Sequence, residues 1–353
     1  MDEKEKRDKD KPKVGIPRAL HYYRYFPFWK KILEELGAEL IISPPTNKKI
    51  VEVGVRHGFG ELCIPMKVYY GHVMHLIENY PNLDFIFVPR YVAEVKEAFF
   101  CPKFLSLPDV VKILPDVPNL LNFEVNVKEF PVSVAAIDLG KQLGKSKTKA
   151  LDAYKKAKTY YEEYLNFLRR GANVIHALRL VRRDLPFKLP KKKVKGNVRL
   201  LLLGHAYNLF DTYINLDFQK KLQERDVEVL TIENMPEWIF ETPVVVNKKL
   251  QNYWKHEEEI MQAIRYFLTK GRNEIDGVIF LISFACGPDS LISELIMRDM
   301  KVVKLPYLAI TMDEHSGEAG MLTRIESFVE MIKRKKKLMK EKEEEKQKTV
   351  VSQ

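Results

Sequence analysis

The sequence predicts an α/β protein of two doubly wound, Rossmann-like lobes joined by a helical connector. Short, near-continuous apolar runs recur in both halves of the chain, most of them separated by helically spaced segments. Between about Lys141 and Leu180 the chain is rich in Ala, Lys, Glu, Tyr and Leu and has no proline, the composition of long helices. The Pro/Lys-rich stretch from Pro186 to Lys195 then breaks that pattern, as expected where one domain hands over to the next.

In chain order, residues 1–12 form a charged leader expected to be disordered. Lys13 to Ile16 reads as a strand, and Phe28 to Leu36 has helical spacing that stops at Gly37, a helix C′ residue. Ala38 to Ile42 reads as a second strand, Ser43 to Asn47 as a turn and Lys48 to Arg56 as a short helix. A third strand, Asp84 to Val88, ends at Pro89 and Arg90. These belong to an N-terminal lobe, residues 13–140, with residues 141–195 as connector and linker. The C-terminal lobe, residues 196–335, opens with Val198 to Leu203, whose apolar run suits a parallel strand buried on both faces. Val227 to Ile232, Gly277 to Ser283, and Val302 to Lys304 with Tyr307 to Thr311 follow as strands. Residues 336–353 are a charged tail with too little apolar surface to pack, expected to fray or to be disordered.

A chain of 353 residues that is 46% hydrophobic can fill the cores of two ordinary domains. It has no apolar run of about 18 residues and no hydrophobic segment in its leader, so a soluble cytoplasmic protein without membrane contact is expected. The formal charge of +11 is concentrated in Lys191, Lys192, Lys193 and Lys195 and in the run Lys333 to Lys337. It reads as a solvated linker and tail in preference to a nucleic-acid or membrane surface. There is no Walker A sequence, GxGxxG after a strand, HExxH or GxSxG, so any ATP-driven step needs another protein.

Open α/β sheets place their sites at the carboxyl ends of strands, and here those ends are chemically loaded. PRALHYY follows the first strand, GHAYN follows Leu203, FACGPDS follows Ser283 and MDEHSGEAG follows Thr311. Arg18, His21 and Tyr22, with His205, Tyr207 and Asn208, are expected to face a cleft between the lobes; alternatively the aromatics only pack the first helix. Asp313 and Glu314 beside His315 suit a proton relay or, equally, a cap for the helix from Ala319. The three cysteines, Cys63, Cys101 and Cys286, each have a proline one or two residues behind. Proline holds such loops extended, and Pro65 is expected to limit helix formation through Ile64. Three thiols make no paired disulfide framework. An iron-sulfur cluster, a zinc site with one histidine, and small buried side chains all remain open, although structural zinc usually takes its ligands in close pairs.

The segments GIPRALHYYRYFPFW, SPPTNK, ELCIPMKVYYGHV, FVPR, CPKFLSLPD, GHAYNLFD, CGPDS and DEHSGEAGMLTRIESF occur together in this order. With them the chain resembles the 2-hydroxyacyl-CoA dehydratase superfamily from about Lys13 to Ile332, in particular the cluster-binding module associated with CoA-enzyme activases. The resemblance implies a [4Fe-4S] or related cluster between two α/β lobes, held by Cys63, Cys101 and Cys286. It also implies a separate ATP-hydrolysing activator that injects one low-potential electron. The expected role is an electron-transfer or reductase component. A dehydratase that removes water from a 2-hydroxyacyl-CoA through a ketyl radical, and a non-enzymatic binding module, are the alternatives. No spacing marks a CoA pocket, and an acyl-CoA or a homo- or heterodimer partner is a further expectation of the resemblance.

Overall fold

The computed structural model describes residues 11–189, 196–241 and 254–351. The leader to residue 10, the basic linker 190–195 and the last two residues of the tail lie outside the described residues.

In the N-terminal lobe, β1 (Lys13–Ile16), β2 (Glu39–Ile42), β3 (Phe85–Ala93) and β4 (Asn119–Asn126) form a parallel sheet of order β2-β1-β3-β4. Its helices are α1 (Tyr22–Glu35), α2 (Lys48–His57), α3 (Ile64–Asn79), α4 (Pro102–Leu105), α5 (Leu107–Val111) and α6 (Val132–Gln142). The connector consists of α7 (Lys147–Arg169) and α8 (Val174–Arg182). Ser146 and Asn173 start them by accepting backbone N–H bonds on their side chains, as Asn47 does for α2. Helix α7 lies along α1 and α6 and reaches the 3-10 turn Ile232–Asn234, so the connector is also packed structure.

The C-terminal lobe repeats the topology. Strands β5 (Val198–Leu203), β6 (Val227–Leu230), β7 (Gly277–Ser283) and β8 (Tyr307–Met312) run parallel in the order β6-β5-β7-β8. Helices α9 (Ala206–Phe210), α10 (Phe218–Gln223), α11 (Lys255–Leu268), α12 (Gly287–Val302) and α13 (Glu318–Val351) surround them. Alternation along β5 sends Leu200 and Leu202 into a core continuous with the first lobe. Leu201 and Leu203 enter a second core under α11 and α12.

Several local expectations change. Helix α1 begins at Tyr22, so the loop after β1 ends at His21, its N-cap residue. Strand β3 runs through Pro89 because beyond Ile86 it is paired only to β4, and an edge tolerates a residue without an N–H. Ile232 leaves the sixth strand for a 3-10 turn. Val302 ends α12 instead of forming a strand, and Lys304 follows in the left-handed region at φ 54°. The tail continues α13 as helix to Val351.

Helices α2 and α3 cross on two glycines. A Cβ at Gly54 would lie 1.9 Å from the Lys67 carbonyl oxygen, and one at Gly71 would lie 1.9 Å from that of Ile50. Gly71→Ala is therefore expected to destabilise the protein by about 1–3 kcal/mol, against the gain of about 1 kcal/mol that alanine brings to a helix. Urea unfolding measures this, and an unchanged midpoint would contradict the close crossing.

The lobes are joined by buried polar contacts. Thr46 Oγ1 donates to Asp211 Oδ2 (2.5 Å), so it accepts from His72 Nε2 (3.0 Å), which leaves His72 Nδ1 to accept from Ser43 Oγ (2.8 Å). Burial pushes His72 down to about 3, so it stays neutral and this chain of bonds is structural. Arg24 forks onto Glu259 at 2.5 and 2.7 Å, and Lys67 reaches Glu314 at 2.6 Å.

Candidate metal centre

Both sheets reverse direction of growth between their first and third strands, β1 and β3 in one lobe and β5 and β7 in the other. The crevices of a doubly wound fold open at these points. Loops leaving these four strands carry His21, Cys101, His205 and Cys286. Leu20 (φ 51°) and Ala285 (φ 63°), one residue ahead of His21 and Cys286, occupy the left-handed region, which costs a non-glycine residue about 1–2 kcal/mol.

Each cysteine is the N-cap residue of a helix: Cys63 of α3, Cys101 of α4 and Cys286 of α12, with proline in the first turn each time. This corrects the expectation that Pro65 limits helix formation through Ile64, which opens α3, while Cys63 and Cys286 themselves keep extended backbone. In a first helical turn the missing N–H is one that has no intrahelical partner anyway, so Pro65 helps start α3. The N-termini of the two full helices, α3 and α12, favour anionic sulfur.

The phenol of Tyr207 has all three cysteines as electrostatic neighbours, and of the three only Cys286 belongs to a close donor group among the described residues. Burial raises the phenol's pKa well above the ordinary value, and the charges of Cys286, Asp289, Cys63 and Cys101 add to the effect in that order. Across the lobe boundary, Lys103 Nζ donates to the carbonyl of Ala285 (3.4 Å), which sets α4 beside the Cys286 loop. Burial and then Asp289 push the Cys286 thiol up to about 11, with His205 opposing. Burial also raises Cys101.

Next to Cys286 a mixed donor set forms. One atom each from His205, Cys286 and Asp289 lie within 4.8 Å of one another. His205 Nε2 is 3.1 Å from Asp289 Oδ1 and 3.4 Å from Glu257 Oε1. Burial disfavours the imidazolium, but Asp289, Cys286 and Glu257 outweigh it and raise His205 well above its usual pKa. Asp289 is fully buried, and neither carboxylate oxygen has a well-aligned hydrogen bond; the His205 contact is close but poorly directed.

On the other side of His205 lies an aromatic box. The His21 ring is 4.3 Å from Phe104, 4.4 Å from Tyr91 and 5.7 Å from His256, whose ring is 5.2 Å from His205. Tyr207 stacks on His205 at 4.9 Å. Burial, then the Arg24 charge, holds His21 and His256 well below the usual histidine range, so both are neutral.

The structure thus brings together His21, His205 and Tyr207, with Cys286 beside His205. Apart from Cys63 and Cys101, it places the other expected residues elsewhere. Arg18 lies 5.8 Å from the ring of Tyr22, which is wholly buried, and its backbone N–H donates to Ser43 Oγ. Asn208 is also wholly buried and accepts from Ser283 Oγ at the end of β7. Asp313 holds a turn with Ser316 and the N–H of His315, Glu314 is paired with Lys67, and His315 is exposed. Three residues at the site were not anticipated. Asp289 stands three residues after Cys286, a spacing that was visible in CGPDS. His256 and Glu257 open α11, which lies outside the loops read as leaving strands.

The fold and this site define a two-lobed parallel α/β protein with a buried His205, Cys286 and Asp289 donor set at the carboxyl ends of strands in its second sheet. Residues 13–235 match the family profile of the CoA enzyme activase uncharacterised domain, and the chain belongs to this family. Residues 240–332 match the 2-hydroxyglutaryl-CoA dehydratase D-component. No curated protein matches the chain. None of its described helices is long and apolar enough to cross a membrane.

Proposed function

We propose that Cys63, Cys101 and Cys286 hold an iron-sulfur cluster between the lobes 13–140 and 196–335, and that the chain serves as an electron-transfer or reductase component charged by a separate ATP-hydrolysing activator. The observation that carries this reading is that Tyr207 has all three cysteines, from three distant segments, as electrostatic neighbours, with Cys286 in a close donor set with His205 and Asp289. The donor chemistry fits. Three soft sulfur ligands suit iron-sulfur ligation, and burial raises the Cys101 and Cys286 thiols, so the positive charge of a bound metal would favour their thiolate forms. Asp289, buried without a well-aligned partner, is a further donor.

Bound there, the cluster supplies one-electron chemistry at low potential. The chain's own residues set its surroundings. Phe100, Phe104, Tyr91 and Tyr207 exclude water, while His205, held between Asp289 and Glu257, presents an N–H beside Cys286. Hydrogen bonding and exclusion of water are the levers by which a protein tunes such a centre.

The match of residues 240–332 favours a second reading, a dehydratase acting on a 2-hydroxyacyl-CoA. The test common to both is anaerobic purification. The protein is expected to be brown, to contain iron and acid-labile sulfide in similar amounts, and to bleach in air. A colourless protein with stoichiometric zinc and no sulfide would instead assign His205, Cys286 and Asp289 to a zinc site.

A further inference from the structure

We infer that the cleft bounded by α1, α7, α11 and the 3-10 turns Ile232–Asn234 and Glu237–Ile239 is a binding site for a small organic cation of the primary ammonium class, and that it rejects the polyanionic end of an acyl-CoA. The cleft encloses about 420 Å³, the lower range of small-molecule sites. Its three cations are already engaged. Arg24 is forked onto Glu259, Lys255 reaches the same carboxylate at 3.1 Å, and Arg169 pairs with Glu237 at 2.9 Å. Glu94, Glu162, Glu233 and Glu241 line the same space, and none of them makes an ion pair among the described residues.

A second observation points to a ligand. Tyr164 is 1% exposed, lines the cleft, and has a hydroxyl with no hydrogen-bond partner. Glu233 Oε2 is likewise shielded and unpartnered. Burial pushes the Glu233 carboxyl up, more than Thr231 and the already engaged Arg24 pull it down. An ammonium group has three donors and no acceptor, which matches a carboxylate oxygen and a phenol oxygen left open. Tyr161 and Phe240 also line the cleft, and aromatic rings in such a wall suit a cation. Phosphate oxygens would meet unpaired carboxylates with no free cation to receive them. The cleft shares Arg24, Ile232 and Glu233 with the small niche walled by His21, His205 and His256, so its occupant borders the niche that holds these histidines.

This inference goes beyond the cluster reading and does not depend on it. Calorimetric titration of the anaerobic full-length protein with n-butylammonium chloride, and separately with coenzyme A at the same ionic strength, tests it. Saturable butylammonium binding is expected, weakened about tenfold in Glu233→Gln and several-fold in Tyr164→Phe, with no saturable coenzyme A binding. Iron content and thermal midpoint, measured on the same samples, separate loss of this site from loss of the cluster or of the fold. Absence of butylammonium binding to the unaltered protein, unchanged affinity in both variants, or coenzyme A that competes with butylammonium would each overturn the assignment.

Discussion

Cys63→Ser, Cys101→Ser and Cys286→Ser are each expected to lose iron and acid-labile sulfide together, while the chain stays largely folded. A serine hydroxyl is a hard and normally protonated oxygen, and it replaces a soft thiolate poorly as an iron ligand. The three positions are the N-caps of α3 and α4 in one lobe and of α12 in the other, so a merely structural role would give separate local defects. Each would then cost about 1–3 kcal/mol through a hydroxyl left unsatisfied, with metal content untouched. Iron analysis and electron paramagnetic resonance of the reduced protein separate these outcomes. A variant that keeps full iron and an unchanged reduced spectrum removes that cysteine from the ligand set.

Glu259→Gln is expected to cause the largest loss of stability among single changes at the lobe boundary. It leaves Arg24 with an uncompensated charge where the unaltered protein has a two-bond fork, and breaking a buried pair costs about 3–5 kcal/mol. The Arg24 side chain is 25% exposed, which places the effect toward the lower figure. The pH dependence follows the same contact. Burial raises the Glu259 carboxyl, but Arg24 and Lys255 outweigh it and hold the group at about 2, against an ordinary value of 4.5. Because the folded value is depressed, this stability is complete above about pH 4.5 and fades as pH falls toward 2. A shift of this size corresponds to roughly 3 kcal/mol. Denaturant unfolding across that window is expected to show a steep acid limb that flattens in Glu259→Gln. The same acid limb in both proteins would mean that the fork contributes nothing to stability.

The fold was largely legible because its signals are local. Apolar runs such as Val198 to Leu203 declare a strand buried on both faces, Asn47 and Gly37 punctuate helices, and the loops after strands follow from those assignments. The errors were local as well. Pro65 was read as limiting helix formation through Ile64, yet proline suits the first helical turn equally, and only packing decides between the two. Pro89 stands in a strand because of which neighbour β3 lacks, a property of the sheet and not of the residues around it.

At the site, sequence alone determined which residues can carry the chemistry: three cysteines, and the His21 and His205 loops at strand ends. Tertiary structure decided which of them meet. It turned Arg18, Tyr22 and Asn208 into packing and bonding inside the lobes, and brought in His256, Glu257 and Asp289. The physical reason is that a strand-end rule states where a loop emerges but not which way each side chain turns. That direction is set by burial and by hydrogen-bond partners from segments far away in the chain, and such partners leave no periodic trace in the sequence.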